Sequence, residues 1–101
     1  MNIGKLYQTK KYYWLLYPSK DIAPATTDAR ETPFGSIPAA TAAAYLSKKY
    51  NCNVSYISAN SIFCLLEQDK KFLKILTTNG EVGWIYLVDW YKDDIEEVTK
   101  S

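Results

Sequence analysis

The clearest structural signal lies in residues 61–91, SIFCLLEQDKKFLKILTTNGEVGWIYLVDWY. The stretch holds three apolar runs of strand length, rich in β-branched and aromatic residues, and a polar break follows each of the first two. The second break contains Asn79-Gly80, a strong hairpin signal because a type I′ turn needs positive φ at both central positions. We therefore expect a three-stranded antiparallel meander. Its predicted strands cover residues 61–67, 72–77 and 82–87.

The third predicted strand contains a glycine and is followed by a short closing segment. Gly83 inside a strand predicts a bulge, a bend or a close backbone approach. A bend suits a short strand that serves both packed sheets of a small barrel. The segment Val88–Tyr91 is too short for a helix and predicts one 3₁₀ turn. A last strand is expected over Asp94–Val98.

Outside this stretch, the sequence predicts three more strands and one helix. Strand-like runs occur at Ile3–Thr9, at Val54–Ser58 and at Tyr12–Tyr17, where aromatic density favours a strand. The alanine-rich segment 39–50 predicts a helix, since alanine is the best helix former and proline, here Pro38, is favoured at the first helical position. The helix face expected to cover the barrel consists of Ala42, Tyr45, Leu46 and Lys49.

A strand, a hairpin signal and a Gly-Trp-aliphatic-aromatic strand follow one another at Phe72–Leu76, Asn79-Gly80 and Gly83-Trp84-Ile85-Tyr86. In this order of features the segment 62–90 resembles an SH3-like barrel, in particular the bacterial SH3-type module. The resemblance implies a mainly β fold and a single domain over residues 1–101. Its long first loop, residues 19–60, would be enlarged by a helix at about residues 38–50. It also implies a binding module, while the fold leaves the ligand open among peptides, cell-wall material, nucleic acid and partner subunits.

The composition argues against catalysis. The chain contains no histidine, the usual general base near neutral pH, and it has no nucleophile elbow, P-loop or dinucleotide-binding motif. Cys52 and Cys64 are too few ligands for a zinc site, and we expect both to be free thiols in a reducing compartment. The sequence therefore predicts no enzyme activity, no metal and no cofactor.

Charge and hydropathy limit the classes of partner that the chain can have. No apolar run reaches the length of about 18 residues that spans a membrane, and residues 1–11 lack the apolar core of a signal peptide. We therefore expect a cytoplasmic protein without a membrane partner. The net charge is +1, but the acidic side chains are concentrated towards the C-terminus. An acidic rim that would steer a basic partner is expected from Asp89, Asp93 and Asp94.

Aromatic side chains outnumber what a core of this size can hold, with nine tyrosines and three tryptophans. Tyrosine and tryptophan give a large contact area at low entropic cost and are enriched in binding hot spots. We therefore expect an exposed aromatic surface at the end of the second strand, in the long loop 19–35 and around the last part of the meander. The candidate binding residues are Tyr17, Pro18, Phe34, Trp84, Tyr86, Asp89, Trp90 and Tyr91.

Three functions remain open at this point. The preferred hypothesis is a module that binds a protein or peptide segment through the aromatic surface. The second is RNA or single-stranded nucleic-acid binding, by aromatic stacking beside lysines. The third is a structural or accessory subunit of a bacterial or phage assembly, which predicts a persistent oligomer or a stable complex. The lysines of the second hypothesis are Lys5, Lys10, Lys11, Lys48, Lys49, Lys70, Lys71 and Lys74.

Overall fold

The computed structural model describes residues 2–20, 38–87 and 92–98 of the chain. Within these ranges the chain is mainly β, with antiparallel strands and one α-helix, as the sequence predicts. The elements in chain order are β1 (Leu6–Thr9), β2 (Trp14–Leu16), α1 (Ala39–Tyr50), β3 (Ser55–Ile57), β4 (Ile62–Asp69), β5 (Phe72–Thr77), β6 (Val82–Tyr86), a 3₁₀ turn (Lys92–Asp94) and β7 (Ile95–Glu97).

The strands form two antiparallel sheets that are joined by a backbone bridge. The larger sheet has the order β6-β5-β4-β1-β7, and the smaller sheet pairs β2 with β3. Tyr17 lies directly after β2. Its backbone N–H donates to the Trp84 carbonyl over 2.7 Å, and its carbonyl accepts a hydrogen bond from the Trp84 N–H over 2.8 Å. This bridge attaches β2 to the β6 edge of the larger sheet. The predicted meander is confirmed as β4-β5-β6.

Alternate residues of the meander strands point into a shared core. Leu65 is paired with Ile75, and Leu73 with Ile85, and all four side chains are fully buried. Residues two apart in a strand share a face, so each strand presents one face to this core. The other members are Tyr7, Trp14, Leu16, Ile57, Phe63 and Ile95. Because both sheets contribute, the core lies between them.

Helix α1 packs against β2 and β3 and encloses a second, smaller core. It follows Pro38, which is the N-cap with ψ 140° rather than the first helical residue that the sequence predicts. It ends at Asn51, whose φ of 50° lies in the left-handed region. Leu46 is buried there with Tyr17 and Val54. The helix is therefore confirmed, with a shift of one residue at its start.

The buried face of α1 differs from the predicted one. Tyr45 is 60% exposed, and Lys49 is exposed as well. The buried residues of the helix are Ala42, Ala43 and Leu46. Ala42 and Leu46 belong to both possible faces, and the way the helix docks on β2 and β3 selects Ala43 in place of Tyr45.

The hairpin at Asn79-Gly80 is confirmed, but the predicted type I′ turn is wrong. Gly80 has a φ of 85°, whereas Asn79 has no positive φ. The Gly80 N–H donates to the Thr77 carbonyl over 3.0 Å, and the Thr77 N–H donates to the Glu81 carbonyl over 2.8 Å. This pattern is a three-residue loop in which a type I turn is followed by a left-handed glycine in a G1 bulge.

Two other boundaries differ from the sequence-based expectation. β4 continues through half of the first predicted polar break, which leaves Lys70-Lys71 as the loop before β5. The described 3₁₀ turn covers Lys92–Asp94. The 3₁₀ turn predicted at Val88–Tyr91 lies outside the described residues, as does most of the predicted loop 19–35.

Gly83 lies where β6 closely approaches β2. A Cβ atom built at Gly83 would lie 2.7 Å from Cγ of Leu16 and 3.0 Å from the carbonyl oxygen of Tyr17. The first of these atoms is part of a buried core side chain, and the second is backbone that takes part in the bridge. The close approach that the sequence offered as one reading of Gly83 is therefore the one observed.

We expect Gly83→Ala to lower the free energy of unfolding by about 1–3 kcal/mol, because the added methyl overpacks this contact. Urea denaturation measures the change. Glu81→Ala, an exposed site two residues away, is the control and should change stability by less than about 0.5 kcal/mol. Equal stability of Gly83→Ala and the wild type would contradict the close approach.

Candidate interaction surface

The described structure contains half of the predicted binding residues. Tyr17, Pro18, Trp84 and Tyr86 lie within it, and Tyr17 and Trp84 are brought together by the backbone bridge. The others lie outside the described residues: Phe34, Asp89, Trp90 and Tyr91.

Tyr17 is not part of an exposed surface, so its predicted role as an exposed contact is wrong. Its exposure is 6%, and it is buried with Leu46 and Val54 beneath α1. The sequence missed this because the helix that covers Tyr17 lies more than twenty residues later in the chain. Tyr86 is half-buried and packs against Phe72 with ring centroids 5.1 Å apart. Pro18 is exposed.

Trp84 is half-buried on the outer face of the larger sheet, where two lysines lie near its ring. Lys20 Nζ is 5.5 Å and Lys74 Nζ is 6.0 Å from the ring centroid, both within cation–π range. Lys74 is also the cross-strand partner of Trp84. Together with their acidic partners, these residues form what we name the Trp84 cluster: Trp84, Lys20, Lys74, Glu67 and Asp69.

The charges of the Trp84 cluster are balanced. Lys20 Nζ lies 2.5 Å from an Asp69 oxygen, and Lys74 Nζ lies 3.7 Å from a Glu67 oxygen. The hydrogen bond and the charge of Lys20 lower the pKa of the Asp69 carboxyl below its ordinary value. The cluster therefore presents an aromatic ring framed by two ion pairs rather than a patch of one sign.

An apolar row crosses the same outer face beside the Trp84 cluster. The cross-strand register aligns Leu6 with Cys64, Cys64 with Leu76, and Leu76 with Val82. We name these four residues, on β1, β4, β5 and β6, the apolar row. Leu6, Leu76 and Val82 are 46%, 36% and 52% exposed, and Cys64 is half-buried.

The apolar row is extended along β4 by two more exposed side chains. Ile62 and Leu66 are each 37% exposed. The row residues belong to neither buried core, whereas Phe72 and Tyr86, farther along the same face, pack against the second core. Contiguous exposed apolar surface commonly marks an interaction site. Sequence reasoning missed it because residues 62–66 are apolar without interruption. A strand of period two must nevertheless turn Ile62 and Cys64 away from Phe63 and Leu65, and that alternation was the available signal.

The predicted acidic rim is wrong at Asp94. Its side chain is buried and accepts hydrogen bonds from the Lys11 N–H at 2.6 Å, the Tyr12 N–H at 3.3 Å and the Trp14 indole N–H at 3.0 Å. Asp93 is exposed, and Asp89 lies outside the described residues. Asp94 therefore has a structural role: its carboxylate holds the connection between β1 and β2 in place.

We expect Asp94→Ala to lower the free energy of unfolding by about 3 kcal/mol, since hydrogen bonds to a charged group are lost and donors are left without a partner. Chemical denaturation followed by tryptophan fluorescence measures the loss. Asp93→Ala is the matched control, because this neighbouring carboxylate is exposed, and its change should stay below about 0.5 kcal/mol. Similar losses in both variants would contradict the role assigned to Asp94.

A polar cleft of about 310 Å³ lies among β3, the start of β4 and the β5–β6 hairpin, and Ile62 lines it as well as extending the apolar row. Its lining combines the Tyr56 ring and two isoleucines with hydroxyl, amide and carboxylate groups from both sides. The polar residues are Ser55, Ser58, Ser61, Thr77, Thr78, Asn79 and Glu81. Among the described residues, no group of three or more His, Cys, Asp or Glu side chains could hold a metal ion.

No protein-family model, curated protein or solved structure shows a significant match to this chain. In the described ranges, α1 is too short and too polar to cross a membrane. The functional argument therefore rests on the surface features of the larger sheet.

Lys20→Met should raise the pKa of the Asp69 carboxyl towards its ordinary value, because the ion pair that lowers it is removed. A pH titration followed by carboxyl ¹³C NMR measures the shift, with the exposed Lys5→Met as control. A lowered pKa stabilises the fold above the carboxyl's unfolded pKa, and this contribution is lost as the pH falls through the folded pKa. Solvent exposure keeps the contribution small. An unchanged Asp69 pKa in Lys20→Met would contradict the assignment.

Proposed function

We propose that the chain is a non-catalytic binding module of SH3-like type that recognises a protein segment through the outer face of its larger sheet. The observation that carries the proposal is the apolar row, four exposed or half-buried apolar side chains in direct register across four strands. The SH3-like part is supported by the antiparallel meander and by the Tyr17–Trp84 bridge that joins the two sheets.

The Trp84 cluster gives this face its specificity. Apolar surface supplies affinity without direction, whereas the Trp84 ring and the two flanking ion pairs fix which polar groups of a partner fit beside the row. Tryptophan is among the residues most enriched in binding hot spots. A partner segment is therefore expected to offer apolar side chains to the row and balanced charge to the cluster.

Nucleic-acid binding is the alternative, and one observation favours it. On α1, Lys49 Nζ lies 5.8 Å from the Tyr45 ring and 5.5 Å from the Tyr50 ring, which combines an exposed aromatic ring with positive charge. Two other lysines of the predicted set are paired with carboxylates, Lys10 with Glu96 at 2.6 Å and Lys74 with Glu67. These pairs weaken the case for a continuous phosphate-binding surface.

Affinity capture from lysate of the source cells tests the proposal, with quantitative mass spectrometry as the readout. We expect wild-type protein to retain a partner, and Leu76→Glu to lose most of it, because a carboxylate in the row must be desolvated on binding. Ala44→Glu introduces the same charge on the exposed face of α1 and should retain the partner.

Three results of this experiment would contradict the proposal. They are equal retention by wild type and Leu76→Glu, no protein retained by the wild type, and retention that disappears after nuclease treatment. The last result, together with loss on Lys49→Glu, would favour the nucleic-acid alternative. Circular dichroism of each variant establishes that it is folded before the capture is compared.

A further inference from the structure

We propose that the partner of the apolar row is the same face of a second copy of this chain. The inference rests on the proposed function, because it names the partner of that face. It is carried by the way in which the pattern of side chains on β4 and β5 matches itself after a two-fold rotation.

The apolar row matches its own copy under one particular symmetry. A two-fold axis that runs parallel to the strands, between β4 and β5, exchanges these two strands when the outer faces meet. Cys64 then lies opposite the partner's Leu76, and Leu6 lies opposite the partner's Val82. Every position of the row meets an apolar side chain, as an isologous interface requires.

The charges beside the row match under the same axis. Glu67 and Lys74 are cross-strand partners on β4 and β5, and their side chains are 59% and 37% exposed. The rotation that pairs Cys64 with Leu76 also places Glu67 opposite the partner's Lys74, and does so twice. An axis through either strand instead would place Glu67 against Glu67 or Lys74 against Lys74, so the charges select the axis between the strands.

The area of the face suits a small and weak interface. The five strands have between three and eight residues each. At about 3.3 Å per residue and about 4.8 Å between strands, they give a flat area of roughly 400 Å². Side-chain relief increases the accessible area, and a standard interface buries about 800 Å² on each partner. A twisted sheet brings the central strands closest, and these strands carry the two matched pairs. We therefore expect a weak, concentration-dependent dimer.

Sedimentation equilibrium of the full chain tests this inference. The wild-type mass should rise from 11.5 kDa towards twice that value as the concentration increases to about 1 mM. Leu76→Glu should raise the dimer dissociation constant at least about tenfold, whereas Ala44→Glu should leave it unchanged. Val82→Glu, at a more exposed site, replaces Leu76→Glu if that variant does not fold.

A charge exchange tests the proposed axis. Glu67→Lys should weaken the dimer because each new lysine faces the partner's Lys74. Adding Lys74→Glu to that variant should restore the wild-type dissociation constant. A double variant as weak as the single one would overturn the proposed axis.

Two outcomes overturn the second copy as the partner, and they are separable from failure of the proposed function. The first is a wild-type mass of one chain at every concentration. The second is a dimer that Leu76→Glu leaves intact. If either occurs while lysate capture still shows a partner that Leu76→Glu loses, the binding face stands and its partner is a different protein.

Discussion

The carboxylate of Asp94 connects the two ends of the described chain. It accepts hydrogen bonds from the backbone of Lys11 and Tyr12 and from the indole of Trp14, which lie 80 to 83 residues earlier in the sequence. A buried carboxylate without such donors would be strongly destabilising. The segment before β7 and the connection between β1 and β2 must therefore occupy the same place, and Trp14 enters the core from there.

The path of β2 follows from this anchor. The strand leaves the connection, pairs with β3 and ends at the bridge between Tyr17 and Trp84. Gly83 allows the contact, because Leu16 occupies the space that a side chain there would need. One face of the larger sheet is thus covered by β2 and β3. On the opposite face, Phe72 and Tyr86 pack against the second core beneath α1, while the apolar row stays exposed or half-buried. The proposed binding surface is this exposed part of the face.

The outer face of the larger sheet combines an apolar row with paired charges. Its apolar row continues through four neighbouring strands, and its charges occur as close pairs of opposite sign. Paired charges add little steering at long range, so recognition at this face depends on contact. The cleft beside β3 is more polar than the apolar row, since side chains with hydroxyl and amide groups make up most of its lining.

Local sequence is enough to predict the meander, the hairpin at Asn79-Gly80 and the helix, because strand length, turn chemistry and alanine content act over a few neighbouring residues. For Gly83 the sequence predicted a bulge, a bend or a close backbone approach. It could not select among these three, because Leu16, which makes the close contact, lies far away in the chain. The folded chain was needed to show that Tyr17 and Asp94 are buried and that Leu76 and Val82 are exposed. Burial depends on which distant element covers a residue. The helix that covers Tyr17, the donors that satisfy Asp94 and the register that aligns the apolar row are all long-range contacts, which local patterns do not specify.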